Sequence, residues 1–152
     1  MKLLPIQEKL EDNPEFISNP ACVESLQQTI TYFQSIGYSP PWIGYYASVN
    51  NKIMGGCAFK GRPVNGRVEI AYGTFPEFQH QGIGAEMCCQ LVELALQTDP
   101  SVIITARTLM EENFSTKILK KNNFILNGIV IDTDDGEVWE WEYKIHYFRG
   151  TF

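Results

Sequence analysis

The stretch "FQHQGIGAEMCCQLVEL", residues 78–94, sets Gly82 and Gly84 immediately ahead of a run with helical apolar spacing. Ile83, Met87, Leu91, Leu94 and Ala95 fall on one side of that run, and Glu86, Gln90, Glu93 and Gln97 fall on the other. A helix over about 83–97 follows, stopped by Asp99-Pro100. The first backbone N–H groups of a helix have no partner inside it and attract an anion. Glycine at that point lets a ligand come close to the backbone. The same glycines also suit a sharp turn with no ligand.

Working outward, "RVEIAYGTF" (67–75) reads as a strand before the glycines and "SVIITART" (101–108) as a strand after the helix. A strand, a helix and a second strand in that order suggest a right-handed crossover. Upstream, "WIGYYASV" and "IMGGCAFKG" form a hairpin bent at Asn50-Asn51. Before them a helix starts at Ser18 or Asn19, carries Val23, Leu26, Ile30 and Phe33 on one face, and ends at Gly37. Downstream, "NFSTKILKKNNF" is a short helix with lysines near its end, where the helix dipole favours them. Phe114, Ile118 and Leu119 read as its core positions. "FILNGIVID" and "VWEWEYKIHYF" (138–148) are strands around the acidic turn "TDDGE". Residues 1–18 give no clear pattern. The order is helix, three strands, helix, strand, helix, two strands, which makes residues 1–152 one α/β domain with a mixed sheet.

Composition limits the function. The chain has 152 residues, 44% hydrophobic and 20% charged, and a formal charge of −6. That balance gives no basic footprint for nucleic acid. "KILKK" is the one concentrated basic patch, placed for dipole or phosphate contacts. No apolar run has membrane length and the start lacks a leader pattern, so a cytoplasmic protein without membrane contact is expected. Cys22, Cys57, Cys88 and Cys89 form no metal or disulfide pattern and read as free thiols. No metal is expected. Trp42, Tyr45, Tyr46, Trp139 and Trp141 supply core or pocket wall.

The glycine pair fits no common nucleotide motif. A P-loop needs Lys followed by Ser or Thr, and the dinucleotide fingerprint needs a third Gly where Met87 stands. Gln79-x-x-Gly82-x-Gly84 instead resembles the acetyl-coenzyme A signature of the GNAT N-acetyltransferase superfamily. A second block resembles that family's next helix: Asn113-x-Ser115-x-Lys117-Ile118-Leu119-x-Lys121-x-x-Phe124. It departs at Asn123, where glycine is usual and asparagine is tolerated in the left-handed conformation. The branch with ribosomal-protein N-terminal acetyltransferases and their small-molecule-modifying relatives is the most similar.

The resemblance implies a GNAT-like acyl-CoA N-acyltransferase domain that takes acetyl-CoA as co-substrate and passes its acetyl group to an amine by direct attack. It implies a diphosphate cradle at the backbone of Gln81, Gly82, Ile83, Gly84 and Ala85, with Gln79 ordering the loop. Tyr72, Gly73 and Thr74, at the end of a strand that splays from its neighbour, would lie along the thioester and pantetheine, and Asn113 would bond the pantetheine arm. Glu69 would accept the amine proton, with Glu137, Glu140 and Glu142 as competitors. Ser115 would protonate the leaving thiolate, with Tyr72 as a second candidate. Helix capping is the competing role for Asn113 and Ser115. The acceptor is open between a small-molecule amine and a protein N-terminus, and the state between monomer and homodimer. The other class is a coenzyme-binding or regulatory module that kept the fold and lost transfer.

Overall fold

The crossover at the glycines organises the sheet. In the computed structural model, which describes residues 1–145, β4 (Arg67–Thr74) runs into α3 (Ile83–Thr98) and returns through β5 (Ile103–Thr108). β4 and β5 are parallel neighbours. His146 and the last residues of the expected final strand lie outside the described residues.

The other elements are β1 (Lys2–Pro5), α1 (Pro14–Ile17), α2 (Val23–Ile36), β2 (Gly44–Val49) and β3 (Lys52–Phe59) before the crossover. After it come α4 (Phe114–Lys121), β6 (Phe124–Asp132) and β7 (Gly136–Tyr143). The seven strands form one sheet in the order β1-β2-β3-β4-β5-β7-β6. Apart from β4–β5, the paired strands are antiparallel. The mixed α/β sheet expected from the sequence is therefore present, with β1 as an added strand. Lys2–Pro5 has no alternating pattern of its own and becomes a strand by pairing with the edge of β2.

Turn chemistry agrees with the local sequence. Asn50 and Asn51 take φ of 52° and 64°, the left-handed pair that a two-residue hairpin needs. Asn123 takes φ 68°, the conformation glycine more often supplies after a helix.

The sheet is packed on both faces. Tyr46 joins Phe16, Leu26 and Ile30 beneath α2, whereas Tyr45 and Ala47 join Met87, Leu91 and Ala95 of α3. β2 is accordingly apolar without alternation. Met87 and Leu91 are fully buried, and each such side chain contributes about 1.5–3 kcal/mol by leaving water. One expectation fails: Phe114 is 62% exposed rather than core, and Val23, on the apolar side of α2, is 49% exposed. Val23 stands at the first position of α2 and Phe114 at the first of α4. Cys22, Cys57 and Cys88 are buried free thiols, and burial pushes Cys57 and Cys88 up to about 12. No helix among the described residues is long and apolar enough to cross a membrane.

Candidate active site

The site begins where β4 loses a neighbour. Its parallel pairing with β5 ends at Ile70↔Ala106, while its pairing with β3 continues to Gly55↔Thr74. Ala71 to Thr74 thus have a strand on one side and a gap on the other. The Tyr72 phenol reaches across to α4 and donates to the Ser115 carbonyl oxygen over 3.2 Å.

A cavity of about 390 Å³ opens from that gap, between the start of α3 and one face of α4. Gly82 stands just before α3 with φ 81°, a conformation that glycine adopts without strain. Glu86 makes the first helical bond, to the Gly82 carbonyl over 3.1 Å. The N–H groups of Ile83, Gly84 and Ala85 precede that bond, and no side chain caps the end. They form a cradle with positive partial charge beside the cavity. Gly84 has a different reason: a Cβ there would lie 2.7 Å from Ile118 Cδ1, so glycine lets α3 and α4 meet. Asn122 fastens the same junction by donating to the Ala85 carbonyl over 3.2 Å.

A second cavity, of about 320 Å³, is lined by charged groups of both signs. Glu69 is ion-paired at both oxygens, to Lys60 Nζ at 3.4 Å and to Arg107 Nε at 3.7 Å. The latter distance is too long for a hydrogen bond, and Nε has no hydrogen-bond partner. Arg107 Nη1 donates to Asp132 Oδ1 at 2.9 Å. That bond, with help from the Asp134 and Asp135 N–H groups, holds the Asp132 carboxyl below its ordinary value. Arg107, on β5, thereby links the side chains of Glu69 on β4 and Asp132 on β6. Ser115 lines both cavities.

The expected residues divide between these spaces. Tyr72, Gly73, Thr74, Gln79, Gly82, Ile83, Gly84, Ala85 and Ser115 line the first cavity. Gln81 is exposed and lies outside that lining. Glu69 and Asn113 line the second. Asn113 also caps α4 in a reciprocal box with Thr116, accepting from its N–H at 3.1 Å while the Thr116 hydroxyl accepts from the Asn113 N–H at 2.9 Å. Ser115 takes no part in that box. Glu140 and Glu142 are drawn away, to Arg67 at 3.2 and 3.5 Å. The sequence reading missed His80 and Ile118 on the first cavity and Lys60, Arg107 and Asp132 on the second. The first-cavity wall of α4, at 114, 117, 118 and 121, has a helical spacing that a facing-residue search would find.

Comparison with known proteins gives the family. Residues 5–125 match the family described as "Acetyltransferase (GNAT) domain". The chain belongs to the GNAT acetyltransferase family. A curated relative of this GNAT chain, "Uncharacterized N-acetyltransferase YjdG" of Bacillus subtilis (strain 168), is 37% identical over 79 residues, covering 51% of the chain and 47% of the relative. The match thus spans about half the length of that relative.

Solved structures share the GNAT fold. RimL, a ribosomal L7/L12 alpha-N-protein acetyltransferase solved with coenzyme A, has a TM-score of 0.67 at 16% identity, covering 94% of this chain and 93% of its own. A ribosomal-protein-alanine N-acetyltransferase from Brucella melitensis has 0.66 at 14%, covering 95% and 100%. The microcin C7 self-immunity acetyltransferase MccE, solved with acetyl-CoA and AMP, has 0.63 at 17%, covering 87% and 75%.

Proposed function

We propose that this GNAT chain transfers the acetyl group of acetyl-CoA to a primary amine, of a small molecule or a protein N-terminus, by direct attack on the thioester. The observation that carries the reading is the meeting of two cavities at Ser115. One has an uncapped helix start and suits a phosphate-bearing coenzyme; the other is polar and suits an amine.

Family membership and the coenzyme-bound relatives support acetyl-CoA as co-substrate. The backbone N–H groups of residues 83–85 hold the diphosphate, and the unpaired edge of β4 at 72–74 takes the pantetheine arm. The thioester then lies near Ser115, with its carbonyl carbon open to the second cavity.

Attack requires a neutral amine, so a proton must leave it before or during bond formation. Glu69 takes that proton, directly or through water. Both of its oxygens face a cation, so accepting a proton means opening the pair to Lys60 or to Arg107. The C–N bond forms, the C–S bond breaks, and the thiolate takes a proton relayed through the Ser115 hydroxyl, which regains one from water as Glu69 returns the amine proton to water. Tyr72 is the other candidate donor, but its phenol already donates to the Ser115 carbonyl oxygen, and burial, with Cys88 nearby, pushes it above its ordinary value.

Calorimetric titration with acetyl-CoA, NAD and ATP, followed by thiol release from acetyl-CoA on an amine panel, tests the reading. Tight acetyl-CoA binding and amine-dependent thiol release are expected. Equal or tighter binding of NAD or ATP contradicts the coenzyme assignment. Binding without turnover on any amine identifies a coenzyme-binding module instead.

A further inference from the structure

Two side chains on the coenzyme cavity have no task in the transfer described above. Lys117 and Lys121 both line it, one helical turn apart on the same face of α4. Both are exposed, and neither is in an ion pair among the described residues. Lys120 sits beside them in sequence but outside this lining, and its Nζ donates to the Glu112 carboxylate at 3.0 and 3.1 Å. The lysine cluster therefore divides into one paired member and two that present free ammonium groups to the cavity.

The charge around that cavity is unusual for this chain. No Asp or Glu lines it, although the protein carries a formal charge of −6. It is a cationic patch on an acidic molecule, where an anionic ligand gains most. Phe114, on the same face, is 62% exposed. Its ring lies T-shaped to that of His80, with centroids 4.5 Å apart, and Lys117 Nζ stands 5.9 Å from its centroid. An aromatic surface beside two cations is a suitable wall for a nucleotide.

The cradle at α3 and the lysines on α4 offer different chemistry. The cradle provides N–H groups and partial charge, which suits a diphosphate whose charge is spread over a bridge. The lysines provide two full charges close together. Coenzyme A carries, besides its diphosphate, a phosphomonoester on the ribose with a charge of about −1.5 to −2 near neutral pH. Two adjacent ammonium groups match that dianion.

We propose that Lys117 and Lys121 form the subsite for the ribose 3′-phosphate and make this chain discriminate against dephosphocoenzyme A. The inference rests on acetyl-CoA being the co-substrate.

The test is calorimetric titration of the full chain with coenzyme A and with dephosphocoenzyme A. It compares wild type, the double variant Lys117→Gln/Lys121→Gln, and Lys120→Gln, with thermal melts to establish folding. Wild type should bind coenzyme A at least about tenfold more tightly than dephosphocoenzyme A, the scale of one charge-assisted contact. The double variant should lose most of that gap and bind dephosphocoenzyme A much as wild type does. Lys120→Gln should keep the gap. A double variant that weakens both ligands equally puts the lysines on the diphosphate and overturns the subsite. An unchanged gap overturns it too. Wild type that binds neither ligand contradicts the acetyl-CoA reading itself, and the subsite with it.

Discussion

The Tyr72 phenol and the Ser115 carbonyl oxygen are joined over 3.2 Å at the point where the two cavities meet. β4 has no β5 pairing there, so this bond helps set the separation of β4 from α4. Tyr72→Phe removes the donor and keeps the ring. A loss of about 1 kcal/mol in urea unfolding is expected, the usual net value of one such bond. Turnover should fall with it, because Ser115 shifts, while acetyl-CoA affinity stays near that of wild type. Unchanged stability and turnover would show that packing alone fixes the separation.

Gly82 and Gly84 have separable roles. Gly82→Ala places a side chain at φ 81° and should cost roughly 1–2 kcal/mol in backbone strain. Gly84→Ala meets Ile118 Cδ1, the far end of a flexible side chain, at 2.7 Å. Its cost should be partly relieved by Ile118→Val, which removes that methyl. Denaturant melts of the single and double variants check this. Relief of Gly82→Ala by Ile118→Val, or none for Gly84→Ala, contradicts the assignment.

Asn113 caps α4, and the proposed mechanism gives Ser115, which takes no part in that cap, the proton for the leaving group. Asn113→Ala should destabilise the protein by about 1 kcal/mol, because it removes the acceptor of the Thr116 N–H. Ser115→Ala should leave the melting temperature unchanged and lower turnover by roughly 10²-fold, the lower scale for proton transfer to a leaving group. Coenzyme affinity should change little. A drop in stability as large as that of Asn113→Ala would return Ser115 to a structural role.

These divisions show how far the sequence reached. The spacing from Gln79 to Gly84 and from Asn113 to Phe124 located both cavity walls, because local signals of turn and helix start are carried by neighbouring residues. Asn50, Asn51 and Asn123 were legible for the same reason. β1 was not, since Lys2–Pro5 is extended only through its pairing with β2. Nor was the charged cavity: Lys60, Glu69, Arg107 and Asp132 are brought together by sheet order, and no spacing encodes that. Phe114 reads as core by residue type, yet it stands on the open wall of the first cavity.

The Arg107–Asp132 bond gives a pH signature. Arg107, with the Asp134 and Asp135 N–H groups, lowers the Asp132 carboxyl from its ordinary value of 3.8. A lowered folded value adds stability above the ordinary value and loses it as pH falls through the folded one. Asp132→Asn should therefore be less stable than wild type by a constant amount from neutral pH down to about pH 5. The difference should close as pH falls below 3.8. Unfolding free energies of both proteins against pH check this. A difference that persists in strong acid would assign the effect to packing.

Glu69 lines the cavity that meets the first one at Ser115, and it is the proposed acceptor of the amine proton. The most direct measurement is turnover against pH at saturating acetyl-CoA, for wild type and Glu69→Gln, with an amine identified on the panel. The variant keeps the shape of the side chain and removes proton acceptance. A fall of roughly 10²-fold is expected near neutral pH, narrowing at high pH as solvent deprotonates the amine, with acetyl-CoA affinity unchanged. Parallel profiles of nearly equal height would remove Glu69 from proton transfer.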